Sequence, residues 1–286
     1  MFQRYNMDLD SIETCRTPEP DRLLSDARSG VRSFDVCRHR SRVLEACQDS
    51  VAEECPVALV FNGISHAVMM ATPRDLELFA IGFALSEGII EHRKQIFDLE
   101  VCLHEASAEV QITIGQAAFA ALKQHRRSLA GRTGCGVCGI DSLALLDLTP
   151  ESVAPAPLLG DVGTVEISRI IEQLPHHQPL MQATGCTHAA AWCDPHGAIV
   201  RVFEDVGRHN ALDKLFGWLS EKQLAPNSGL VFLSSRASYE LVRKAARRNV
   251  ALLATVSAPT SLAIDIARAA GIRLLSFCRP GGFVEY

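Results

Sequence analysis

LVFLSSRASYELVRKAARRNVALLATVSAPTSLAIDIARAAGIRLLSF, residues 230–277, is the stretch whose reading decides the fold. Short apolar runs at 230–233, 250–256 and 273–277 are bounded by Ser, Pro, Gly and Arg, and they alternate with helix-period segments at 238–248 and 261–270. Strand, helix, strand, helix, strand in that order implies parallel strands covered by helices, an α/β architecture. In open sheets of this kind ligands bind beyond the carboxyl ends of the strands, where loops and helix N-termini present N–H groups to anions. Three segments fall there: Ser234-Ser235-Arg236, Ser257-Ala258-Pro259-Thr260 and Arg279-Pro280-Gly281-Gly282. Hydroxyls, fixed positive charge and bare backbone are what a phosphate group needs, so a phosphate-bearing ligand is expected at this edge.

Immediately upstream, Glu204-Asp205-Val206-Gly207-Arg208-His209-Asn210 precedes a helix expected over 210–219, with Asp205 as its cap and Leu212, Leu215, Phe216 and Leu219 facing inward. Arg208 and His209 can donate to a ligand; the plainer reading is a solvated cap in which Asp205 pairs with Arg208. A hairpin is expected from 187–193 and 199–203, entered through the polar loop Thr184-Gly185-Cys186-Thr187-His188, and a helix over 164–174 comes before it. His188 is a candidate at that loop, although a lone histidine there is more often a hydrogen-bonded core residue. Pro150, Pro155 and Pro157 among small residues mark 149–163 as a linker.

The chain before the linker reads as an α+β lobe over 51–149. Strands are expected at 31–37, 56–61 and 65–70, the last two joined at Asn62-Gly63, as one small antiparallel unit. Thr72-Pro73-Arg74-Asp75 has the order of a capped helix start, and Leu76, Phe79, Ala80 and Phe83 supply a buried stripe that ends near Gly88. A strand at 109–114 and a helix at 116–129 then lead to Arg132-Thr133-Gly134-Cys135-Gly136-Val137-Cys138-Gly139-Ile140-Asp141. Three glycines leave both thiols of this C-x-x-C clear of bulky neighbours, and Arg132 with a helix start near 140–142 favours a thiolate. Residues 1–50 are expected to be an arm, flexible at least to residue 30, and 150–286 the second lobe.

With 286 residues, 48% of them hydrophobic, the chain can bury one large core or two modest ones. A formal net charge of −5 argues against a general nucleic-acid binder, and no apolar run reaches the roughly 20 residues of a membrane span, so a cytoplasmic protein is expected. Ten cysteines scattered through such a chain read mostly as reduced thiols, with Cys55, Cys102 and Cys278 in apolar surroundings as small buried hydrophobes. Cys135 and Cys138 alone could be a redox dithiol, half of a zinc site, or a sulfur nucleophile with a neighbour. Zinc needs two more ligands and there is no second C-x-x-C; the zinc deaminase pattern also fails, since position 190 is Ala and position 134 is Gly. No zinc is expected.

These segments together resemble the formate dehydrogenase accessory sulfurtransferases, the FdhD family. The matching strings are NGISHAVMMATP at 62–73, RTGCGVCG at 132–139, THAAA at 187–191, EDVGRHNALDK at 204–214, RASYE at 236–240 and SAPTSLA at 257–263. The resemblance implies a cytidine-deaminase-like three-layer α/β lobe without its zinc. It also implies a sulfur carrier that accepts persulfide sulfur from a cysteine desulfurase and delivers it to molybdenum cofactor, in the bis-molybdopterin guanine dinucleotide form, before the cofactor enters the catalytic subunit of formate dehydrogenase. By motif position the persulfide cysteine is Cys135, with Cys138 available to protect or resolve it. The guanine dinucleotide contact falls on Phe277, Cys278, Arg279, Pro280, Gly281 and Gly282, joined by Ser235, Arg236, Ser257, Arg208 and His209. The chain departs from the family at Cys186 and Ser235, where glycine is more usual, and at Gly282, where a basic residue is common. A homodimer is expected. The alternative is a chaperone that holds the cofactor without sulfur chemistry.

Overall fold

The structure, a computed structural model, describes residues 29–40, 43–127 and 149–286. Residues 1–28, most of the expected arm, and the whole C-x-x-C loop with Cys135 and Cys138 lie outside the described residues.

The 230–277 pattern forms as expected. Strand β9 (Leu230–Leu233), helix α6 (Tyr239–Arg247), strand β10 (Leu252–Thr255), helix α7 (Ser261–Ala270) and strand β11 (Arg273–Arg279) succeed one another, with β9, β10 and β11 paired in parallel. β12 (Gly282–Glu285) folds back antiparallel on β11; β7 (His188–Cys193) and β8 (Ile199–Asp205) complete the other side, in the order β12-β11-β10-β9-β7-β8. Alternation divides the buried side chains between two faces. Ala190, Trp192, Val231, Leu233, Leu253 and Leu274 pack with α5 (Arg208–Glu221), α6 and α7, while Ala191, Cys193, Leu230, Phe232, Leu252 and Leu275 pack with Ile167 and Ile170 of α3 (Thr164–Gln173). Three layers result.

The first lobe has a four-stranded sheet ordered β4-β3-β6-β5, made of β3 (Cys55–Phe61), β4 (Ile64–Ala71), β5 (Ile96–Leu103) and β6 (Ala108–Ile114). Helices α1 (Leu76–Ser86) and α2 (Gln116–Arg127) contribute to its core. Two expectations change. The strand expected at 31–37 belongs to a separate hairpin: β1 (Val31–Arg40) pairs only with β2 (Val43–Ala52), whose Glu, Gln and Asp residues gave no strand signal, and this hairpin crosses the expected boundary at residue 50. The edge strand β5 was likewise unannounced, because it buries few of its residues fully.

The second change concerns residues 72–75. The helix starts at Leu76, not at Pro73, and Asp75 at its N-cap position is left-handed with φ 53°. The Thr72 hydroxyl accepts from the Val206 N–H (3.2 Å) instead of capping, and the Thr72 N–H donates to Asp205 Oδ2 (3.1 Å). Contacts to the second lobe outweigh the local cap. α1 lies directly on α5: a Cβ at Gly82 would collide with the Asp213 carbonyl, and one at Gly217 with the Leu78 carbonyl. Glycine at both positions lets the two helix backbones meet. Among the described residues no helix is long and apolar enough to cross a membrane.

Candidate ligand edge of the six-stranded sheet

The parallel arrangement sends the carboxyl ends of β9, β10 and β11 to one edge, and backbone hydrogen bonds link the residues at and just beyond those ends. The Ser257 N–H donates to the Ser235 carbonyl (3.3 Å), and the Phe277 N–H to the Ser257 carbonyl (3.3 Å). Ser235, Ser257 and Phe277 therefore form one row across three strand ends. The row continues to β7, where the Ala189 N–H donates to Ser234 Oγ (2.8 Å), and on to β8 because His188 is registered with Asp205.

Phe277 is the most unusual member. It sits in a bulge between Ser276 and Arg279, has φ 53° and leaves 43% of its surface exposed. A bulky residue in the left-handed region is strained, and such strain gathers at ligand sites. Next to it Cys278 is 1% exposed, and burial raises its thiol to about 11, so its side chain belongs to the core. Arg279 is exposed and turns back along the edge, Nη1 donating to the Val256 carbonyl (2.6 Å). Residues 280–281 form the turn into β12 instead of an open loop beyond the strand; the Gly281 N–H donates to Ser168 Oγ (2.8 Å), and Gly282 already belongs to β12. Arg236 and Ser257 are exposed, whereas Ser235 is buried and its hydroxyl donates to the Arg236 carbonyl (3.1 Å). Ser235 thus adds little bulk to the surface. Cys186 is an exposed free thiol in the loop before His188.

Arg208 and His209 open α5, a 14-residue helix with no acidic residue in its first turn. The positive end of a helix dipole favours an anion beside these two side chains. The crowding is felt at His188: burial first, then Arg208 and His209, hold its imidazole below the ordinary value. His209 Nε2 lies 3.9 Å from Glu240 Oε2 at the start of α6, and His209 above all, helped by Ser238, pulls the Glu240 carboxyl down to about 2 against its burial. The edge therefore offers Arg208 and Arg236 as a cationic zone, the imidazoles of His188 and His209 beside it, Ser257 as a donor and Phe277 as an aromatic surface.

The remaining polar residues of EDVGRHNALDK are structural. Asp205 does not cap α5, whose N-cap is Gly207, and its carboxylate is paired with Lys214. Its Oδ1 accepts from the Gly207 N–H (2.8 Å) and Asn210 Nδ2 (2.9 Å), and its Oδ2 meets Lys214 Nζ at 2.6 Å. Asn210 also donates to the Met70 carbonyl and Lys214 to the carbonyls of Thr72 and Glu204, tying the first lobe to the base of the cationic zone. Glu204 accepts from the N–H groups of Leu180 and Met181, which open α4 (Pro179–Thr184), and from the Thr187 hydroxyl. A second buried group joins Lys244 to Asp213 (2.7 Å) and to the Ser86 hydroxyl (2.9 Å); the Asp213 and Glu87 carboxylates keep the ammonium charged, raising its pKa against burial. Sequence reasoning missed these roles. The signal was Asp213-Lys214 interrupting the apolar stripe of Leu212, Leu215, Phe216 and Leu219.

Among the described residues no group of three or more His, Cys, Asp or Glu side chains could hold a metal ion. The FdhD/NarQ family model matches residues 52–286. A sulfur carrier protein FdhD from Chromobacterium violaceum is 62% identical over 259 residues, 90% of this chain and 95% of that one. One from Burkholderia mallei is 58% identical over 262 residues, covering 90% and 96%, and one from Acinetobacter baylyi 50% over 257 residues, covering 90% and 93%. A crystal structure described as a putative formate dehydrogenase accessory protein, from Desulfotalea psychrophila, superposes with a TM-score of 0.68 at 22% identity, covering 90% of this chain and 96% of that one, a likeness of fold. A match from the first-lobe sheet to the last residue, together with relatives of this identity across nearly their whole length, means that the chain belongs to the FdhD/NarQ family.

Proposed function

We propose that this protein is a sulfur carrier in the maturation of formate dehydrogenase. It accepts persulfide sulfur from a cysteine desulfurase on Cys135 and passes it to molybdenum cofactor in its bis-guanine dinucleotide form, held as substrate at the sheet edge. In the first step the Cys135 thiolate attacks the terminal sulfur of the desulfurase persulfide; a new S–S bond forms and the desulfurase thiolate leaves. The observation that supports the reading is the row Ser235, Ser257 and Phe277 beside Arg208 and His209. A guanine can stack on the exposed Phe277 ring, and phosphates can meet the cationic zone and the helix N-terminus. Cys138 protects or resolves the persulfide, and the formate dehydrogenase catalytic subunit receives the sulfurated cofactor.

The test is intact-protein mass spectrometry after incubation with desulfurase and cysteine. One added sulfur atom is expected, lost in Cys135→Ala; an unchanged wild-type mass would overturn the proposal. A cofactor chaperone without sulfur chemistry would instead leave formate dehydrogenase active in cells carrying Cys135→Ala.

A further inference from the structure

Strand β5 closes one side of the four-stranded sheet, and among the described residues it pairs with β6 and with no other strand. Beyond a bulge between Ile96 and Asp98 its register runs unbroken from Asp98 to Leu103, so alternate residues send their N–H and C=O groups away from β6. A free edge of this kind is a template for another strand, and proteins commonly guard it with proline, lysine or a very short strand. β5 has eight residues, none of them proline or lysine, and its charges are the exposed Asp98 and Glu100. Where β5 meets α1 and the end of α5 there is a groove of about 450 Å³, lined among others by Glu77, Ile81, Arg93, Phe97, Asp98 and Glu221. Sites that hold a ligand commonly measure about 300–1,000 Å³.

The charges of the groove are unbalanced. Arg93, the one cation among the described lining residues, is already engaged: its Nε lies 2.5 Å from Glu221 Oε1 and its Nη1 donates to the Ile96 carbonyl (3.1 Å). Glu77 and Asp98 are left without a cationic partner among the described residues, and the Phe97 ring beside them is 71% exposed. Carboxylates next to an open aromatic ring suit a guanidinium, which takes charge-assisted hydrogen bonds from its planar donors to the former and stacks on the latter. We propose that the groove and the free edge of β5 together dock an extended, arginine-bearing segment of a partner protein, added to β5 as a strand. Main-chain hydrogen bonds then hold the segment, and alternate side chains enter the groove. A second copy of β5 is the wrong occupant, because Asp98 and Glu100 would face their own kind. The site is also remote from the ligand edge. Arg208 and Glu221 stand at opposite ends of the 14-residue α5, roughly 20 Å apart at a rise of about 1.5 Å per residue, so a partner held here leaves that edge open.

The probe is a short fluorescein-labelled peptide of alternating arginine and valine, titrated into the full chain and followed by fluorescence anisotropy. Saturable binding is expected, and none with a peptide in which glutamate replaces arginine. Glu77→Gln combined with Asp98→Asn is expected to raise the dissociation constant by about tenfold or more, and Phe97→Ala to raise it as well. All three side chains are exposed, so these substitutions spare the core. Val165→Asp, on the exposed face of α3, is expected to bind as the wild type does. Bound peptide is also expected to slow amide hydrogen exchange within residues 98–103, which attraction by charge alone does not do. The proposal is overturned by a wild type without saturable binding, by equal affinity in the Glu77→Gln, Asp98→Asn variant, or by exchange within 98–103 that the peptide leaves unchanged. No desulfurase, cysteine or nucleotide enters the experiment, so docking at β5 and sulfur transfer from Cys135 fail separately.

Discussion

The Asp205 carboxylate lies 2.6 Å from the Lys214 ammonium, and neither side chain has any exposed surface. The pair stands between the two lobes, with Thr72 bound to both of its members. Removing one partner of a buried ion pair strands the other charge, which costs about 3–5 kcal/mol. Lys214→Met is expected to lose that much in urea unfolding, because Asp205 stays buried without its cation. Retention of wild-type stability would mean that Asp205 needs only its amide donors.

Gly82→Ala and Gly217→Ala each force α1 and α5 apart, since the new methyl meets backbone on the partner helix. Overpacking of this kind costs about 1–3 kcal/mol. Each variant is expected to lower the melting temperature, whereas Gly63→Ala, where the space is open but φ is +78°, reports backbone strain alone.

His188 provides a pH signature. Burial, then Arg208 and His209, depress its folded pKa, so the unfolded chain takes up a proton first as pH falls from its ordinary value of about 6.5. Stability contributed through His188 therefore declines with falling pH below that value until the folded imidazole also protonates. His188→Gln is expected to flatten this slope. An anion seated by Arg208 and His209 offsets their repulsion, so an NMR titration of the ring with GDP added is expected to show the His188 pKa moving up. No movement would place the anion elsewhere.

Phe277 separates strain from binding. Replacing it with Gly relieves a left-handed φ worth about 1 kcal/mol while removing the aromatic surface. Stacking of a base on an aromatic side chain is worth about 1–3 kcal/mol. Phe277→Gly is expected to weaken GDP binding in calorimetry by about tenfold or more with no loss of thermal stability. Unchanged affinity would remove Phe277 from the ligand surface.

Glu240 is expected to titrate near 2 in carboxyl NMR, and to move up toward the ordinary carboxylate range in His209→Gln. The stabilisation this carboxylate brings is present above its unfolded value and lost as pH falls through 2. A Glu240 unmoved by His209→Gln would show that its other hydrogen-bond donors hold it down.

Local pattern and tertiary context divided the molecule between them. The alternation at 230–277 was enough for parallel strands and for the edge where their carboxyl ends meet, because buried parallel strands are short apolar runs and their crossover helices have a visible period. Ser235 and Ser257 could be assigned to that edge because chain direction alone sends them there, whereas Phe277 was named only through the resemblance. The C-x-x-C loop drew attention through glycine and thiol spacing, and Cys135 and Cys138 remain assignments of sequence, outside the described residues. The roles within EDVGRHNALDK were settled only by folding. Asp205 was expected to cap its own helix, but Thr72, 133 residues away, and Lys214 made its carboxylate a buried tie between lobes. Residues 72–75 likewise traded a local cap for that contact. Which polar residue is buried depends on what arrives from distant parts of the chain, and hydrogen bonds across such separations leave no period in a sequence.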